Sequence, residues 1–192
     1  MADLDDLNYL NLQEIRSVCD RLGIPYRIVI ELPGGGSKVT SDTDRKPVIL
    51  ERLRRYLTTG KVPEATRLPA SIVRLDGPPP VMGPDDRLYY RWYNKTYAPV
   101  MDGLRELTGG RFRNGALARV LVMEFWTRGT APTLREFAEA WTAAGSRDLV
   151  RPEYAFLTDL RDGDAGADWK RKRQEKAKQA LSLIDERRNI AE

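Results

Sequence analysis

The side chains in this chain best placed to do chemistry are cations. In DTDRKPVILERLRRYLTTG, residues 42–60, Arg45, Lys46, Arg52, Arg54 and Arg55 surround an apolar run. Arg45, Arg52 and Arg55 stand at offsets 0, 7 and 10, which projects them from one side of a helix. Arg45 and Lys46 fall where that helix should begin. A cation gains nothing from the helix dipole there, whereas an anion meets free backbone N–H groups. Phosphate contact accounts for this pattern, and so does an ordinary solvated helix face. WKRKRQEKAK, residues 169–178, forms a second basic stretch that includes Lys170, Arg171 and Arg173. It reads as a helix docking on a partner, as a tail touching nucleic acid, or as a solvated helix with pairs such as Arg171–Glu175.

Catalytic chemistry has little to work with. The chain contains no histidine, which removes the commonest general base and metal ligand at neutral pH. Cys19, the one cysteine, belongs to an apolar helical pattern and lacks an imidazole to activate it. LPGGGSK has the glycines of a phosphate loop but not its G-x-x-x-x-G-K-[ST] spacing. Asp85 and Asp86 are adjacent at the start of an expected helix, where capping explains them. No catalytic residue, metal site or cofactor is expected, and the chain reads as a non-enzyme.

The wider composition sets bounds. The 192 residues are 41% hydrophobic and 31% charged, the balance of a globular protein, and suffice for one substantial domain or two small ones. No apolar run approaches the roughly 18 to 20 residues that span a bilayer. The acidic start MADLDDLNYL lacks the basic region of a secretory signal, and a single cysteine fits a reducing compartment. A cytoplasmic location is expected, on the nucleoid if the chain binds DNA. The net charge of +4 is unevenly spread: acidic residues dominate 1–25, and basic ones dominate 44–61 and 169–178. Such patches are the electrostatic footprint of a nucleic-acid binder.

The elements that must position these charges follow from periodicity and caps. NLQEIRSVCDRLGIP opens with Asn11 and Glu14 as a capping box, carries Leu12, Ile15, Cys19 and Leu22 on one helical face, and stops at Gly23 and Pro25. YRIVIELPGGGSKVTSD alternates around Ile28 and Ile30 and reads as a β-hairpin or an extended arm. Asp44 is placed to cap a second helix with Ile49, Leu53, Tyr56 and Leu57 on one face, ending at Gly60. A proline-rich connector follows, centred on Pro78–Pro80. Beyond it, helices are expected over 85–109 with a break at Pro99, over 114–128, from a Thr133–Glu136 capping box to about 144, and over about 167–188. Trp169, Leu181 and Ile184 are the few apolar anchors of the last one.

LNLQEIRSVCDRLGIP and RKPVILERLRRYL together resemble a SAP-type module, a helix–extension–helix motif associated with DNA binding. The resemblance covers about residues 7–58, a third of the chain. Lys46, the pair Ile49–Leu50, and Arg52 with Leu53 occupy the family's lysine, apolar-pair and Arg-Leu positions. Arg45 stands where the family has glycine, and Tyr26–Thr43 is inserted where its helices are usually joined by a few residues. Arg27 and Lys38, near the ends of that insertion, make it a candidate contact arm.

Two further clusters bear on partners. LYYRWYNKTY, residues 88–97, interleaves Tyr89, Tyr90, Trp92, Tyr93 and Tyr97 with Arg91 and Lys95. Exposed, it could stack unpaired bases; buried, Tyr89, Tyr93 and Tyr97 form a helical core stripe, which is the preferred reading. The helix pair RFRNGALARVLVMEFW and TLREFAEAW has the outline of a helix-turn-helix reader. Its second helix presents Glu136 and Glu139 against Arg135, so it reads as a packing or partner-binding unit with Trp126 and Trp141 as core. The expected fold is therefore mainly α: a SAP-like module with an inserted hairpin or arm over 1–62, a connector over 63–84, and a small helical domain over 85–192. The expected function is non-catalytic binding to the phosphates of duplex DNA with weak sequence preference. The expected contacts are Arg27, Lys38, Arg45, Lys46, Arg52, Arg55, Lys170, Arg171 and Arg173, with 85–192 available for a protein partner or a second copy. A protein–protein adaptor without DNA contact is the rival, RNA is a variant, and no membrane role is expected.

Overall fold

The computed structural model describes residues 3–145 and 165–191, with side chains over 3–144 and 171–186. The described residues form two compact units, and the chain visits each more than once. Residues 3–27, 42–65 and 165–191 build the first; residues 28–41 and 66–145 build the second. These limits differ from a division at 62 and 85, because the expected arm falls in the second unit and the last helix in the first.

The first unit combines a 3₁₀ turn, Leu4–Tyr9, with α1 (Leu12–Leu22), α2 (Lys46–Thr59) and α6 (Ala165–Ala191). The capping box at α1 forms as its sequence predicts: Glu14 N–H donates to Asn11 Oδ1 at 2.8 Å, and Asn11 N–H donates to Glu14 Oε2 at 2.6 Å. Gly23 and Gly60 close α1 and α2 in the left-handed region, at φ 67° and 68°. The cap of α2 is Arg45 rather than Asp44, and Arg45 makes no side-chain cap hydrogen bond. Leu7, Leu10, Ile15, Cys19, Ile49 and Leu53 build the core with Ala177, Ala180 and Ile184 from α6. Of the expected anchors of α6, Ile184 is buried and Leu181 half-buried, while the side chain of Trp169 lies outside the described residues. The alanines let α6 approach closely, a role that hydropathy does not advertise.

Cys19 lies in this core and is fully buried. Burial pushes its thiol up to about 11, with Asp20 adding to the rise and Arg52 opposing it. A raised folded-state value favours the protonated form, so the stabilisation is complete below about pH 9 and is lost as pH rises to 11. Iodoacetamide at pH 8 should therefore leave the native thiol largely unmodified and alkylate it readily in urea. Equally fast modification in both conditions would contradict its place in the core.

The second unit contains all of β1 (Arg27–Glu31) but Arg27, β2 (Ser37–Thr43) as far as Ser41, β3 (Arg67–Leu68), a 3₁₀ turn over Ala70–Ile72, α3 (Ala98–Leu107), α4 (Ala116–Thr127) and α5 (Leu134–Gly145). The strands form one sheet in the order β2-β1-β3, with β3 parallel to β1 through Val29↔Arg67 and Ile30↔Leu68. The β1–β2 hairpin turns through Gly34, Gly35 and Gly36, all at φ between 81° and 105°, where a side chain would be strained. Ile28, Ile30 and Leu68 from the sheet enter one core with Leu104, Val122, Trp126, Leu134 and Phe137 from the helices. The expected mainly α fold is thus corrected to mixed α/β. β3 is only two residues long within a proline-rich stretch, too short to show strand periodicity.

Residues 88–97 are also not helical. Their backbone is drawn elsewhere: Leu88 N–H donates to Pro132 O at 2.7 Å and Tyr90 N–H to Ile72 O at 2.9 Å. Pro99 lies in the first turn of α3 instead of breaking a longer helix. The Thr133–Glu136 capping box forms in both directions, at 2.8 and 3.1 Å. Trp126 is buried and donates from Nε1 to Leu88 O at 2.9 Å, whereas Trp141 is half-buried with its ring 5.2 Å from that of Phe112.

Candidate nucleic-acid interface

The basic residues of the first unit divide by what they bond. Arg52 points inward and donates to Asp44 Oδ2 at 2.6 Å and to Pro25 O at 3.0 Å. Its side chain is 10% exposed and that of Asp44 is 1% exposed. Arg52 therefore holds the two ends of the 25–44 excursion together and is withdrawn from any phosphate, a correction to its expected role. Arg173 is also engaged, donating from Nε to Tyr9 O at 3.1 Å and from Nη2 to the Glu14 carboxylate. Lys176 pairs with the buried Asp6 at 3.1 Å, and Arg21 with Asp185 at 2.9 Å.

Lys46 and Arg54 differ because their closest partner is neutral. Lys46 Nζ donates to the backbone carbonyl of Asn8 at 2.5 Å, and Arg54 Nη2 donates to Asn8 Oδ1 at 2.8 Å. Both cations thus meet on one exposed residue, at the end of the Leu4–Tyr9 turn. A hydrogen bond to a neutral oxygen fixes a cation in place without cancelling its charge. Glu51 lies 4.0 Å from Arg54 and is 76% exposed, so it screens that charge little. Partial burial lowers the proton affinity of Lys46, and the Arg173 charge lowers it further, with Glu14 partly offsetting both. An arriving anion would reverse that strain.

The remaining expected contacts do not converge with this pair. Arg45 is half-buried at the start of α2, and Arg55 is exposed on its outward face beside Glu51. That face, with Thr58 and Thr59, carries one charge of each sign and is neutral. Arg27 is exposed, with its guanidinium 5.8 Å from the centroid of the Tyr26 ring. Lys38 is exposed on β2 in the second unit, and Arg171 is exposed on α6. The side chain of Lys170 lies outside the described residues. Asn8 and Arg54 were not among the expected contacts. Lys46, Leu50 and Arg54 do form an i, i+4, i+8 row, which was visible in the sequence; that Asn8 would meet it was not.

No family model, curated protein or solved structure matches the chain. Among the described residues, no helix is long and apolar enough to cross a membrane, and no group of three His, Cys, Asp or Glu side chains is arranged to hold a metal ion.

Proposed function

We propose that the first unit is a SAP-type helix–extension–helix module that binds the phosphate backbone of duplex DNA without catalysis. The observation that carries the reading is the pair Lys46–Arg54, two cations held side by side on the neutral oxygens of Asn8. Such a pair meets a phosphate without first having to order itself, and neutral partners release their hydrogen bonds more cheaply than carboxylates do. Arg45, half-buried beside Lys46 at the start of α2, adds positive charge next to the pair. Arg52 and Arg173 support the site by fixing the elements that carry it. Weak sequence preference follows, because backbone contacts carry no base information. On this reading the protein acts in the cytoplasm, on the nucleoid.

The neutral outward face of α2 favours a second reading, an adaptor whose helix pair contacts protein. Mobility shifts on a duplex of about 20 base pairs at roughly 50 mM salt separate the two. The Lys46→Gln/Arg54→Gln variant should bind at least tenfold more weakly than wild type while retaining its circular dichroism spectrum. A wild-type protein that leaves the duplex unshifted would favour the adaptor.

A further inference from the structure

We propose that the second unit carries a separate surface for unpaired nucleobases, built by Arg74, Tyr89, Arg91 and Trp92. A tight turn, closed by Trp92 N–H donating to Tyr89 O at 2.9 Å, brings two half-buried rings together. Their centroids are 5.0 Å apart and their planes meet at 74°. Arg74 is exposed, sits 4.8 Å above the Tyr89 ring and donates to its hydroxyl at 3.3 Å. The arginine is therefore held against the aromatic surface instead of ranging through solvent.

Arg91, inside the same turn, is the only non-glycine residue among the described ones with positive φ, at 69°. Glycine or asparagine would adopt this conformation at lower cost, so the arginine is tolerated against the preference of its own backbone. The turn directs its exposed side chain toward β2, where Nη2 donates to Ser41 Oγ at 3.1 Å. Its guanidinium also lies 5.5 Å from the Tyr90 ring centroid. The acid whose charge acts on Arg74 is Asp76, exposed two residues along the chain.

Two half-exposed rings, one of them under the Arg74 guanidinium, with exposed Arg91 in the same turn, suit a nucleic acid with free base faces. Its bases stack on Trp92 and Tyr89 while its phosphates meet Arg74 and Arg91. Every base has a π-face, so the surface is tolerant of sequence. A duplex hides those faces and has no reason to use it. DNA and RNA single strands share this chemistry, and paired probes distinguish them.

The test uses the full chain in a Lys46→Gln/Arg54→Gln background, so the result stands whatever the Asn8 cation pair does. Labelled ten-nucleotide oligo-dT, oligo-rU and an abasic deoxy strand of equal length are titrated by fluorescence anisotropy. At least one of the two base-bearing strands should bind about tenfold more tightly than the abasic strand and quench tryptophan fluorescence. The tighter of the two identifies the natural backbone. Arg74→Gln/Arg91→Gln should weaken base-bearing and abasic strands alike, by about tenfold, whereas Trp92→Leu should remove the advantage of the base-bearing strand. The arginine pair is exposed, so that variant decides the matter even if Trp92→Leu does not fold. Abasic binding as tight as the tighter of the two base-bearing strands, or a folded arginine-pair variant that binds like wild type, overturns the proposal.

Discussion

Replacing Asp44 with alanine should destabilise the first unit by about 3 to 5 kcal/mol, the usual cost of stranding one member of a buried ion pair. Arg52 would keep its bond to the Pro25 carbonyl, but its charge would remain in a site that leaves only 10% of its side chain exposed. Urea denaturation followed by circular dichroism measures the loss. Arg52→Met should cost a comparable amount, because it strands the Asp44 carboxylate, whose side chain is only 1% exposed. The double variant Asp44→Ala/Arg52→Met should recover much of the stability, since two uncharged side chains leave no buried charge unpaired. A double variant no better than Asp44→Ala alone would mean that the pair is not what closes the 25–44 excursion.

A comparable loss is expected in the second unit from Phe137→Ala. Phe137 is fully buried, and its ring lies 5.5 Å from Tyr93, 6.5 Å from Phe112 and 6.4 Å from Phe125. Removing it from among three other rings should cost about 3 to 5 kcal/mol through lost transfer energy and the cavity left behind. The change has a second, local readout. Burial pushes the Tyr93 phenol up to about 12, with Arg119 opposing the rise. The raised value stabilises the fold fully below about pH 10, and that contribution is lost as pH rises to 12. Opening the cavity beside Tyr93 should move its absorbance titration back toward 10. A variant that melts early with Tyr93 unchanged would place the damage elsewhere than at this ring cluster.

How much of this was legible in the sequence varied with how local the signal was. α1 and its Asn11–Glu14 box, the Thr133–Glu136 box and the glycine stops at Gly23 and Gly60 depend on residues within a few positions of one another, and all are present. The sheet was only half legible. The Gly34–Gly36 turn announces a hairpin, but β3 pairs across a long stretch of chain through two residues. The aromatic run was misread because spacing-four periodicity over Tyr89, Tyr93 and Tyr97 fits a helix, while Pro132 and Ile72 supply carbonyls that pull the segment out of one. The basic row was the hardest case. Lys46, Arg52 and Arg54 are equivalent as letters, and only the fold separates them: Asp44 neutralises Arg52, whereas Asn8 holds Lys46 and Arg54 without neutralising either.

The claim that this difference matters for function is tested most directly by the salt dependence of duplex binding, from about 50 to 200 mM, for wild type, Lys46→Gln/Arg54→Gln and Asn8→Ala. Each phosphate neutralised contributes a slope of about 0.9 in log affinity against log salt, so losing two cations should reduce the slope by about 1.8. Asn8→Ala removes the side-chain oxygen that holds Arg54, leaves the backbone carbonyl that holds Lys46 and keeps both charges, so it should weaken binding modestly with little change in slope. Lys46→Gln/Arg54→Gln binding with wild-type affinity and wild-type slope would contradict the account, because the two cations would then meet no phosphate.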